Sequence, residues 1–146
     1  MLSKKGSIFI QIASYRDPEI RNTIKDLLKN AYNPDRLKIC IAWQNNKEDL
    51  VDNIEEYKND SRFNILDINY KDAKGVCWAR NLIQQEYNGE DYTLQLDSHH
   101  RFVKNWDKEL IEMLIQLQDK GHNKPLITGY IPSYNPEKDP EDRVQV

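Results

Sequence analysis

Short apolar runs alternate with segments whose apolar residues recur at helical spacing, and this alternation repeats four times along the 146-residue chain. Ile8 to Ala13, Leu37 to Trp43, Phe63 to Tyr70 and the run leading into Asp97 read as strands. After the first, Ile20, Ile24, Leu27, Leu28 and Ala31 keep a helical period until Asn33-Pro34 interrupts it, so an amphipathic helix lies on the sheet. Asp17 can cap that helix, with Pro18 at its first position. A helix of about ten residues is expected around Leu50 to Tyr57. Behind Gly75, Val76, Ala79, Ile83 and Tyr87 share one helical face, and Asn88-Gly89 closes the segment. Asn105 caps a last helix bearing Leu110, Ile111, Leu114 and Leu117 and ended by Gly121, and Leu126 to Tyr130 adds one more strand. Alternation at this spacing implies an α/β fold with a mainly parallel sheet, right-handed crossovers and flanking helices. In such sheets ligands bind outside the carboxyl ends of the strands.

A chain of this length builds one core, so a second domain is not expected. Residues 1–134 form the domain; residues 135–146, rich in Pro, Asp, Glu and Lys, read as a loop or a cut end with no apolar run to anchor it. A net charge of -3 and the lack of any Lys/Arg cluster argue against a nucleic-acid partner. No apolar stretch approaches the ~20 residues that cross a bilayer, and Met1 to Gly6 lacks a secretion signal's apolar run. Cys40 and Cys77 show no regular spacing, so no disulfide framework is expected and a reducing cytoplasm is the simpler location.

Chemistry concentrates where strands end. In Tyr-Thr-Leu-Gln-Leu-Asp-Ser-His-His-Arg-Phe (92–102), side-chain direction repeats every second residue, so Asp97 and His99 share a face with Cα atoms roughly 6 to 7 Å apart. A carboxylate plus an imidazole suits a divalent ion such as Mn²⁺ and leaves coordination positions open for phosphate oxygens. The pair therefore points to an enzyme that handles a nucleotide diphosphate through a metal. His100, of opposite parity, belongs to the surface or behind the ligands. After the first strand, Ser14-Tyr15-Arg16-Asp17 offers an aromatic ring to stack on a base and small polar groups to bond its edge, against a surface Tyr15 and a capping Asp17. Gln44-Asn45 after the second strand suits a base or ribose, or an ordinary turn. Arg80, one turn into its helix, can fork onto a diphosphate or lay its stem along the apolar face. Arg101 can balance a phosphate or pair with Asp107.

Ile-Ala-Ser-Tyr-Arg-Asp-Pro (12–18), Gly-Val-Cys-Trp-Ala-Arg-Asn (75–81), Leu-Asp-Ser-His-His-Arg-Phe-Val-Lys-Asn-Trp-Asp (96–107) and Gly-Tyr-Ile-Pro-Ser-Tyr (129–134) together resemble, in order and spacing, the GlcNAc-transferase family that includes the Skp1 hydroxyproline N-acetylglucosaminyltransferases. That family is similar to other GT-A glycosyltransferases, whose Asp-x-Asp or Asp-x-His element binds Mn²⁺ and the sugar-nucleotide diphosphate. The resemblance implies that Asp97 and His99 hold the metal, Ser98 lies near the ribose or sugar, Arg80 touches the donor and Tyr15 lies against uracil. Gln44 stands where those enzymes often carry Asp. The implied function is transfer of N-acetylglucosamine from UDP-GlcNAc to a hydroxyl acceptor, by analogy a protein side chain, with retention of anomeric configuration. Family members run well beyond this chain, so the resemblance implies that the acceptor side is missing and that transfer by these residues alone is slow. Two other classes compete: a non-catalytic nucleotide-sugar-binding module and a metal-dependent phosphoesterase.

Overall fold

The computed structural model describes residues 6–141 and residue 143; Met1 to Lys5, Asp142 and the last three residues lie outside the described residues. Four strands, β1 (Ile8–Tyr15), β2 (Leu37–Asn45), β3 (Phe63–Asn69) and β4 (Tyr92–Asp97), form one sheet in the order β3-β2-β1-β4, all parallel. Three α-helices flank it: α1 (Ile20–Asn30), α2 (Val76–Gln84) and α3 (Trp106–Asp119). The α/β expectation holds, and the arrangement is Rossmann-like.

Strand parity divides the apolar residues into two layers. Ile8, Ile10 and Ile12 of β1 with Ile39 and Ile41 of β2 face Ile20, Ile24 and Leu27 of α1 and Trp106 of α3. Phe9, Cys40 and Ala42 face Ala79 and Ile83 of α2 on the other side. Because both faces of β1 and β2 are covered, these central strands are apolar at nearly every position, whereas the edge strand β4 buries Leu96 and exposes Thr93 and Gln95. The chain steps outward from β1 to β3, then α2 carries it back across to β4, so the strand order reverses between β1 and β4.

Several local expectations shift. α1 begins at Ile20, two residues beyond Pro18, because Asp17 accepts the Glu19 amide (2.9 Å) in a turn that precedes the helix. The helix expected around Leu50 to Tyr57 is replaced by two 3₁₀ turns, Leu50–Asp52 and Glu55–Asn59. There Asp49 accepts the Val51 amide and Asn53 the Glu55 amide, which diverts the backbone from helix, and Leu50 and Val51 are exposed while Ile54 plugs the core with Tyr57 packed beside it. The strand expected over Leu126 to Tyr130 does not form: with no ladder partner, Leu126 and Tyr130 stand in solvent. In α2 the apolar face narrows to Ala79 and Ile83; Val76 is exposed, and Tyr87 lies past the helix end with its ring edge-on to Phe9. α3 ends as expected at Gly121, whose φ of 95° allows the Gly121 and His122 amides to reach the Gln118 and Leu117 carbonyls.

The C-terminal loop, which lacks an apolar run, is held by charge. Arg101 donates to Asp139 (2.7 Å), Glu19 (2.5 Å) and the Tyr134 hydroxyl (2.9 Å), and Arg143 pairs with Asp26 (3.0 Å) and Asp139. The pairing of Arg101 with Asp107 therefore does not form, and Asp107 instead accepts the Tyr32 and Asn33 amides at 2.6 and 2.9 Å. Both cysteines are free, Cys40 buried and Cys77 exposed. No helix among the described residues is long and apolar enough to cross a membrane.

Candidate functional site

The parallel register brings the strand ends to one edge. Ala13 lies level with both Ala42 and Asp97, Tyr15 with Gln44, and Asn45 with Asn69. The strand order reverses between β1 and β4, the kind of position at which open α/β sheets bind ligands, and here the loops after these two strands are joined through Asp17, Ser98 and His99. Two adjoining features occupy this edge: a cleft over β1, β2 and the β3–α2 loop, and a polar cluster between β1 and β4.

The cleft, about 470 Å³, is lined by Tyr15, Gln44, Tyr70 and Lys71, with Ala73 and Gly75 among its small residues. Tyr15 is half exposed, as a stacking surface must be. Gln44 reaches the cleft although its Nε2 donates to the Ser14 carbonyl (3.2 Å). Ser14 itself is fully buried, its Oγ unpartnered, and the fold does not bring it to the cleft surface. Asn45 likewise turns into the protein, bonding the Trp43 carbonyl and Asp67. Sequence reasoning missed Tyr70, Lys71 and Arg16. Arg16 has φ 47°, a left-handed conformation unusual for its type, and its amide bonds the Gln44 carbonyl. Its guanidinium pairs with Asp49 (2.9 Å) and lies 4.9 Å from the Tyr70 ring centroid, forming a planar rim beside the cleft. The sequence signal for Tyr70 was its place at a predicted strand's end, and nothing local marked it as lining the same cleft as Tyr15.

The polar cluster begins with Asp97, the last residue of β4, whose side chain is 58% exposed and whose Oδ1 accepts from Arg80 at 3.2 Å. Arg80 thus meets the strand-end carboxylate, and its buried Nε has no partner in the protein. The strand stops at Asp97, so the alternation expected to carry His99 alongside it ends two residues short. His99 sits in the following turn, 60% exposed, with Nδ1 2.8 Å from Asp17 Oδ2. Ser98 is nearly buried and donates its hydroxyl to the same Asp17 oxygen. Burial raises the Asp17 pKa, but bonds from Ser98, His99 and the Glu19 amide outweigh it and hold the carboxyl below the usual aspartate value. His100 is half-buried; its Nδ1–H donates to the Asp97 carbonyl (3.1 Å), and burial lowers its pKa.

α1 builds the turn that carries these groups. Its buried Thr23 donates to the Ser98 carbonyl (2.7 Å) and accepts the His100 amide (3.0 Å), and Asp26 accepts the Phe102 amide (2.7 Å). These helix residues, invisible to motif reading, are what hold residues 98–102 against α1. Among the described residues no group of three or more His, Cys, Asp or Glu is arranged to hold a metal ion.

Nothing matches the chain among curated proteins or among solved structures. A family model described as Glycosyltransferase (GlcNAc) matches residues 7–62 and 51–145, two overlapping segments that take in both the cleft and the polar cluster. The chain that presents this sheet edge therefore belongs to the GlcNAc glycosyltransferase family.

Proposed function

We propose that this chain binds UDP-GlcNAc at the sheet's carboxyl edge for metal-assisted transfer of N-acetylglucosamine to a hydroxyl acceptor, by analogy a protein side chain, in a GT-A type fold with retention of configuration. The observation that carries the reading is the convergence, on the edge matched by the family, of an exposed carboxylate, an exposed imidazole and an arginine beside an aromatic-lined cleft.

Asp97 and His99 would hold the divalent cation, Mn²⁺ by the oxygen-and-nitrogen chemistry of the donor set. Both side chains are more than half exposed, so water and phosphate oxygens would supply the rest of the coordination. When bound, the cation supplies Lewis-acid stabilisation of the charge that grows on the departing diphosphate. Arg80, already turned to Asp97, places a permanent positive charge where the diphosphate would lie, and Tyr15 offers its ring to uracil in the cleft that Tyr70 also lines. Gln44 can present its amide oxygen to the base edge, and Ser98 lies close behind the ribose or sugar position.

Calorimetric titration with UDP, with and without Mn²⁺, tests the reading. Metal-dependent binding is expected, and Asp97→Asn and His99→Ala should each abolish it while leaving the thermal transition in place. Unchanged metal dependence in both variants overturns the metal assignment. Arg80→Ala should weaken UDP more than uridine, by ~1.5 to 3 kcal/mol for a charge-assisted contact. Metal-dependent UDP binding without transfer to hydroxyl acceptors would point to a binding module, and phosphoester hydrolysis to a different enzyme class.

A further inference from the structure

We infer that Asp17 is a positioning residue for His99: it fixes the imidazole as the Nδ1–H tautomer and turns Nε2, with its lone pair, outward as the metal-binding nitrogen. This rests on the proposed metal role of His99 and adds the group that sets it.

An ionised carboxylate can only accept hydrogen bonds, so the nitrogen 2.8 Å from Asp17 Oδ2 must carry the proton. Asp17 is kept ionised and immobile by its surroundings. Its side chain is 17% exposed, its Oδ1 accepts the Glu19 amide (2.9 Å), and its Oδ2 also accepts the Ser98 hydroxyl at 2.5 Å. Asp17 therefore cannot follow His99 into solvent; it holds the ring at one point. The remaining ring nitrogen belongs to an exposed side chain, free to meet a ligand. A carboxylate behind a ligating imidazole fixes its tautomer and orientation and raises its basicity, and loss of such a partner typically weakens metal binding by about 10- to 100-fold. Asp17 comes from the loop after β1 and His99 from the turn after β4, so the pair spans the point where the strand order reverses.

The histidine ring nitrogens report on this without any metal. In the ¹⁵N-labelled chain at about pH 8, where an ordinary imidazole is neutral, His99 should show a protonated Nδ1 and an unprotonated Nε2. An Nε2–H tautomer in the parent overturns the inference directly. Asp17→Asn keeps the side chain's size and its acceptor for the Glu19 amide, and should return His99 to a tautomer mixture while His100 is unchanged. Mn²⁺ affinity of the same variant, read by electron paramagnetic resonance, should fall about 10- to 100-fold. Parent-like affinity and tautomer in a folded Asp17→Asn, with His99→Ala abolishing Mn²⁺ binding, would sink the role of Asp17 and leave the metal reading standing. A parent that binds no Mn²⁺ would sink both.

Discussion

The sheet and the C-terminal segment solve the same problem in opposite ways. Around β1 and β2, isoleucines and leucines with essentially no exposure are sealed between helices on two faces, and almost every backbone group is paired in a ladder. Beyond α3, Leu126, Tyr130 and Ile131 are exposed, and Asp139 and Arg143 are tied down by the Arg101–Glu19–Asp139–Arg143–Asp26 ion-pair chain. Apolar burial involves no titrating group and is not weakened by charge screening, whereas ion pairs depend on both. Order in the first region should therefore persist under conditions that release the second, and the candidate site, built on β1, β4 and α1, belongs to the first.

The sharpest challenge to this contrast is a core deletion. Ile10→Ala removes a side chain with no exposure and should cost ~2 to 5 kcal/mol in denaturant unfolding, with the site lost along with the fold. A cost under ~1 kcal/mol would show that the sheet is not the main store of stability. Arg101→Met comes next: Glu19 would lose its ion-pair partner and Asp139 would keep only Arg143, in a site where the arginine is 7% exposed, at ~1 to 3 kcal/mol. Its signature should be local, with protease cutting in residues 122–143 before the sheet unfolds; simultaneous loss of both would merge the two regions into one cooperative unit.

Acid should act on the same strap. Arg143 and Arg101 hold the Asp139 carboxyl down at about 2, below the ordinary 3.8. A depressed carboxyl contributes stability above its unfolded pKa and loses it as pH falls, so docking of the segment should weaken from pH 3.8 toward 2. Hydrogen exchange of the 134–143 amides across that window would check it. The smallest effect should come from Arg21→Ala, which removes a pair to Glu56 (3.0 Å) whose side chains are both nearly half exposed; ~0.2 to 1 kcal/mol is expected, screened by salt.

Where local pattern and tertiary context agree, the sequence is readable. Ile20, Ile24 and Leu27 follow one helical face and all three are buried; Leu94 and Leu96 follow strand parity and pack on the core while Thr93 and Gln95 do not. It fails where short polar side chains compete for the backbone, as at Asp49 and Asn53, and where apolar residues find no partner, as at Leu126. Of the site, Asp97, His99, Arg80, Tyr15 and Gln44 all arrive at the expected edge, whereas Ser14 turns inward and Asp17 serves Ser98 and His99 more than the helix.

Periodicity by itself settled that this chain makes a parallel α/β sheet and which polar side chains lie at its carboxyl edge, because strand parity and helical spacing are local properties readable within a few residues. It could not say that the strand stops at Asp97, that Asp17 crosses more than eighty residues of sequence to hold Ser98 and His99, or that charge instead of apolar surface pins Asp139 and Arg143. Hydrogen bonds and ion pairs between distant residues depend on the three-dimensional placement of whole elements, and their partners leave no periodic trace along the chain.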